Sequence, residues 1–249
     1  MLIPGLACSS AVWDATAKQL EGRYRLHLVQ VAGFAGTPSR ANAKGPVLQP
    51  IVSALDAYIQ TNHLNKTRVI GHSMGGLMGM NLALQHPEDV SKLMIVDSLP
   101  FFSVVMGAAD APAAKPQAAA FRNRILSETQ EAYAQGERRF LRSLVKSTGG
   151  LKSATQWGLA SDKSVVARAM YEIMTTDLRL KLPEIKTPVT ILYAWDSASG
   201  LPRAATDCLY EENFAALPDK KLVCISDSFH FIMLDQPQAF AEQVEAFLK

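Results

Sequence analysis

The chain has 249 residues, 48% of them hydrophobic and 19% charged, with 25 Lys and Arg against 23 Asp and Glu. That is enough to bury one large core, in a single α/β domain or a domain with an insertion. The dispersed charge, whose longest basic cluster is Arg138-Arg139, excludes an electrostatic footprint for nucleic acid or an anionic membrane, and no apolar run approaches the roughly 20 residues of a membrane-spanning helix.

The elements alternate from the start. A strand-like run, Met1-Leu2-Ile3, opens the sequence, which leaves room for a leader or an upstream hairpin before it. Strands are predicted at 2–3, 26–31, 67–70, 93–96, 189–193 and 222–225, with helices near 12–20, 47–63, 74–86 and 237–249. This alternation predicts an α/β protein with a mostly parallel central sheet of about six strands, flanked by helices. Residues 99–182 break it: they hold no convincing strand but show helical spacing at Phe121/Ile125, Phe140/Leu144 and Val166/Met170/Ile173. They read as a helical lid inserted into a core of residues 1–98 and 183–249. Its Ala- and Pro-rich start, 108–120, reads as a hinge or mobile entrance.

Three cysteines, Cys8, Cys208 and Cys224, show no metal-type spacing and favour a reducing compartment, hence the cytoplasm, or the periplasm or exterior if a leader precedes; Cys208 with Cys224 is a candidate pair. No cluster of metal ligands is visible.

Gly71-His72-Ser73-Met74-Gly75 lies where the β-branched run 67–70 gives way to an apolar helix. A side chain on so sharp a strand-to-helix turn needs neighbours without bulk two residues before and two after, and the turn projects its hydroxyl out of the sheet. Ser73 is therefore a candidate nucleophile. Its hydroxyl needs a base, and of the five histidines His230 follows the last strand, at the sheet edge where open parallel sheets gather catalytic groups. His72 is expected to pack or hydrogen-bond beside the site rather than act as base. Chain order in such an architecture is Ser, acid, His. Asp196, directly after the run 189–193, is the preferred acid; Asp97, after 93–96, is its rival, with Asp207 and Asp227 behind them. An oxyanion would need backbone N–H donors, expected from Met74 and, in the turn Pro4-Gly5-Leu6, from Leu6.

Gly-His-Ser-Met-Gly-Gly (71–76), Pro-Gly-Leu (4–6), Trp-Asp (195–196) and Phe-His-Phe (229–231) together resemble the α/β-hydrolase superfamily, and most closely its capped, esterase-like members. The resemblance implies an eight-stranded, mostly parallel sheet, a lid between the sixth and seventh strands, a Ser-His-Asp triad and no cofactor. Two departures stand out. Pro4 occupies a place where many relatives carry His, and the family's first two strands are absent. A serine at 73 argues against dehalogenases and epoxide hydrolases, which use aspartate there. Hydrolysis of a small-molecule carboxylic ester through an acyl-enzyme leads, with Phe101, Phe102, Met106, Trp157, Met170 and Met174 as candidates for an apolar acyl pocket. Carbon–carbon bond hydrolysis, enol-lactone hydrolysis and acyl transfer share the triad, and a receptor or inactive scaffold shares the fold. Oligomeric state is not encoded legibly.

Overall fold

The structure, a computed structural model, describes every residue except Asn65. Five strands, β1 (Leu2–Ile3), β2 (Thr67–His72), β3 (Val90–Val96), β4 (Val189–Trp195) and β5 (Lys220–Ser226), form one all-parallel sheet in sequential order. The expected strand at 26–31 is instead extended chain that meets β1 at a single bridge, Leu2 with Leu28. β1 has only two residues, so the ladder beside it has nothing further to bond.

Alternate residues of each strand feed two cores on opposite faces of the sheet. On one, Ile3, Val69, Leu93, Ile95 and Ile191 meet α2 (Leu48–Thr61), α3 (Met74–Gln85) and α8 (Arg203–Asn213). On the other, Leu2, Ile70, Met94, Val96 and Leu192 meet α1 (Asp14–Leu20), the short α9 (Ile232–Asp235) and α10 (Pro237–Leu248), where Trp13 stacks on Phe240 with centroids 6.1 Å apart. In α2 the buried residues Leu48, Val52, Leu55 and Ile59 form one helical stripe. α3 is buried nearly all round, and His86 closes it by donating its backbone N–H to Leu82 O. Replacing Phe214 or Phe240, both fully buried, by alanine would cost about 3–5 kcal/mol.

Between β3 and β4 lie four helices, α4 (Ala111–Ser127), α5 (Gln130–Leu144), α6 (Thr148–Ala160) and α7 (Lys163–Thr175). Asp110, Thr129 and Asp162 cap α4, α5 and α7 by accepting backbone N–H bonds with their side chains. The stretch read as a hinge is thus largely helix: Pro112 sits in the first turn of α4, where no N–H is missed, and Pro116 is accommodated within it. Cys208 and Cys224 are not bonded; all three cysteines are free thiols. No described helix is long and apolar enough to cross a membrane.

Candidate active site

β2 runs straight into α3 through Ser73, whose backbone is held at φ 54°, ψ −120°. A non-glycine residue there costs on the order of 1–3 kcal/mol, which the surroundings must enforce. They do so through glycines. A Cβ at position 71 would lie 2.2 Å from the Gly75 carbonyl oxygen, and one at 75 would lie 2.2 Å from Ile3 O. The turn is further tied by Ser73 N donating to Val96 O at 2.9 Å and by Gly76 N donating to Ser73 O at 2.8 Å.

His230 lies in the loop between β5 and α9, and its Nδ1 is 2.6 Å from Oδ2 of Asp97. A carboxylate cannot donate, so Nδ1 carries the proton and Nε2 is left as an acceptor, the state a general base requires. Asp97 itself has φ 47°. Its other oxygen accepts from Ala194 N at 2.9 Å and from the Tyr210 hydroxyl at 3.0 Å. Burial, then the charge of Asp97, pushes the Tyr210 phenol well above its usual range, so it remains a donor.

The expected acid, Asp196, does not reach His230. It is buried, it caps the turn Ser197–Ser199 by accepting from Ala198 N, and it pairs with Lys146 Nζ at 2.5 Å. The register gives the reason. His72 and Val96 are paired across β2 and β3, so the residues that follow them, Ser73 and Asp97, leave the sheet side by side, whereas Asp196 leaves β4 one strand further on. Asp207 is occupied by Tyr193 and Arg203, and Asp227 is exposed.

His72 packs beside the site, its ring 4.6 Å from that of His230 and 4.7 Å from that of Phe231. Burial, and secondarily the nearby His230, holds its pKa well below the usual value, so the ring is neutral. Nε2 donates to the His230 carbonyl at 3.0 Å. That leaves Nδ1 bare and buried, without a partner among the described residues, 2.9 Å from where a Cβ on Gly5 would stand. One imidazole thus spaces the Pro4-Gly5-Leu6 turn from the base loop, and only glycine fits at position 5. The N–H groups of Leu6 and Met74 donate to no acceptor among the described residues. Both residues line the same cavity as Ser73, His230 and Asp97.

That cavity, of about 280 Å³, lies between the sheet edge and the inserted helices. Of the six residues expected to line it, Phe102 and Met170 do. Phe101 is buried away from it under the Arg179 guanidinium, Met174 is buried with its carbonyl bonded to Ser103, Trp157 packs into the core around α10, and Met106 is exposed. The stripes that marked the helices in the sequence are themselves the lining: Phe121 and Ile125 of α4, Phe140 and Leu144 of α5, and Val166, Met170 and Ile173 of α7. That signal could have identified the pocket. Tyr210 and Glu137 carried none.

A family model described as the alpha/beta hydrolase family matches residues 1–243. The chain belongs to the alpha/beta hydrolase family. Within it, the chain is similar to the pimeloyl-[acyl-carrier protein] methyl ester esterase of Aeromonas hydrophila, 26% identical over 260 residues that cover 100% of this chain and 94% of that one. It is also similar to the enzyme of the same name from Klebsiella pneumoniae, 27% identical, covering 99% and 91%. Among solved alpha/beta hydrolase structures, a thermophilic esterase from Thermogutta terrifontis superposes with a TM-score of 0.80 at 19% identity, covering 99% of this chain and 88% of that one. The enol-lactonase from Burkholderia xenovorans LB400 superposes with 0.78 at 19% identity, covering 99% and 89%. At such identities these structures speak for the fold.

Proposed function

We propose that this alpha/beta hydrolase cleaves carboxylic esters with apolar acyl groups through an acyl-enzyme on Ser73. His230 Nε2 takes the Ser73 proton as Oγ attacks the ester carbonyl, Asp97 holds the imidazole and stabilises its protonated form, and the oxyanion settles on the N–H groups of Met74 and Leu6. His230 then returns the proton to the departing alcohol and activates water, which releases the acid. The observation that carries this reading is the 2.6 Å contact of His230 Nδ1 with Asp97 Oδ2 on the cavity that Ser73 lines from its strained turn.

Residues 99–182 act as a lid over a core of 1–98 and 183–249, closing the apolar part of the cavity around the acyl chain. The methyl ester esterases it resembles support a small alcohol leaving group, so a methyl ester should be accepted as readily as a long-chain alcohol ester of the same acid. Three free thiols support the cytoplasm, and the near-balanced charge supports a small-molecule substrate rather than nucleic acid or a membrane.

Initial rates on p-nitrophenyl esters from acetate to palmitate, with Ser73→Ala as control, test the reading. Turnover that vanishes in the variant supports it, and the chain-length optimum measures the pocket. A folded protein that turns over none of these esters overturns it.

A further inference from the structure

The cavity's lining is aliphatic and aromatic except at the reacting groups, Cys8, Ser98, and one face of α5. There Tyr133 and Glu137, four residues apart and so on the same side of the helix, both line it. Tyr133 is 3% exposed, yet its hydroxyl is buried with no hydrogen-bond partner among the described residues. An unpaired buried hydroxyl is destabilising, so such a group in a native protein calls for an account. The two side chains do not bond each other.

Glu137 is the stranger of the two. Among the described residues no cation or donor holds its pKa down, and burial raises it. Its charge is felt by the Tyr133 phenol and by the Cys8 thiol, both of which burial raises first and Glu137 raises further. Cys8 belongs to the turn that carries Leu6, and the half-buried Glu137 lines the cavity that this turn borders. Its carboxylate packs on α6, where a Cβ at Gly158 would lie 2.6 Å from Oε1. A greasy pocket for a plain alkyl chain has no use for this arrangement, and leucine at 137 would serve it better.

Resting on the ester hydrolase reading, we infer that Tyr133 and Glu137 form a polar subsite for an uncharged hydrogen-bonding group, a hydroxyl or amide, on the substrate's acyl part. Tyr133 supplies a donor and Glu137 an acceptor, the pair that a hydroxyl or primary amide satisfies at once. A carboxylate at the same place would meet Glu137 as a like charge and is rejected.

The test compares p-nitrophenyl hexanoate with its ω-hydroxy and ω-carboxy counterparts. Wild type should favour the ω-hydroxy over the plain ester by about tenfold in kcat/KM and disfavour the ω-carboxy ester, since a hydrogen bond to a charged group carries discrimination of that order. Glu137→Leu and Tyr133→Phe should each collapse the ω-hydroxy preference, and Glu137→Gln, which keeps the shape, should relieve the penalty on the ω-carboxy ester. Identical rankings in wild type and all three variants overturn the subsite. A second readout does not need turnover: in Ser73→Ala protein, ω-hydroxyhexanamide should raise Tm more than hexanamide, and Glu137→Leu should erase the difference. If that difference is seen while no ester is hydrolysed, the subsite stands and the ester reading falls; if it is absent, the subsite falls whatever the esters do.

Discussion

On the floor of the cavity Ser73 is held at φ 54° and Asp97 at φ 47°, and the glycines at 71 and 75 face backbone oxygens at distances no Cβ can occupy. In the helices that roof it, no residue from 111 to 175 has a positive φ, and the helix starts at Asp110, Thr129 and Asp162 are ordinary side-chain caps. The roof is joined to the core by scattered polar ties instead. Glu172 of α7 accepts from the N–H groups of Val47 and Leu48 at the start of α2, both at 2.8 Å. Asp162 bonds Ser39, and its N–H donates to Gly33 O at 2.7 Å. The floor therefore stores strain in a few backbone positions that nothing else can fill, while the roof spreads its attachment over many replaceable contacts. Chemistry can depend on the first and selectivity can drift in the second.

That contrast is broken most forcefully at the floor. Ser73→Ala and His230→Ala should each lower kcat/KM by about 10³ or more while the circular dichroism and Tm stay near wild type. Asp97→Asn, which leaves the shape but lets the imidazole take the wrong tautomer, should cost about 10³–10⁴ in kcat. Gly71→Ala should act on the fold itself. With the Gly75–Gly76 peptide in the way of the added Cβ, it should lower the unfolding free energy by about 4 kcal/mol or more, read from urea midpoints.

Away from the floor the effects shrink and can change sign. Asp89, buried before β3 with Asp56 beside it, has its pKa raised to about 6, by burial first and then by the contact with Asp56. A carboxyl whose folded pKa lies above its unfolded one favours the fold when protonated. Its contribution is complete below the usual value of 3.8 and is lost as pH rises through about 6. Asp89→Asn should therefore stabilise by roughly 1–3 kcal/mol near neutral pH, keeping the Gln60 contact, and the gain should fade on acidification toward the lower value. A Tm difference between the two proteins that does not vary with pH would refute this. The smallest effect is expected at Asp196→Asn, which frees Lys146 of the roof and should leave kcat within about fivefold. A loss as large as that of Asp97→Asn would reverse the assignment of the acid.

What the sequence made legible follows the same division. The elbow is readable because its demands are local: strand, glycine, serine, glycine, helix within ten residues. His230 is readable because it follows the last strand. The sequence favoured Asp196 over Asp97, because β3 and β4 are both followed by an aspartate, and only the register of β3 on β2 and the distant Lys146 separate the two. The extended run at 26–31 has strand composition but found a two-residue neighbour. The helix Arg203–Asn213 was missed, and with it Tyr210, whose hydroxyl braces Asp97 from 113 residues away. In the inserted helices the stripes were visible and do line the cavity, but the pocket was sought among Met and aromatic residues, of which Phe101, Met106, Trp157 and Met174 lie elsewhere.

The Asp235 carboxylate accepts from Lys146 N and Ser147 N, at the junction of α5 and α6, and also from Phe229 N, the residue before His230. The Leu144 carbonyl accepts from Phe231 N just beyond. One side chain therefore serves as a shared hinge pin for the inserted helices and the His230 loop. Anyone grafting the helices of a relative onto this core, to change what the enzyme accepts, would have to transplant that junction with them. Without it the exchange would unseat the loop that carries His230, and a new specificity would arrive with a misaligned imidazole.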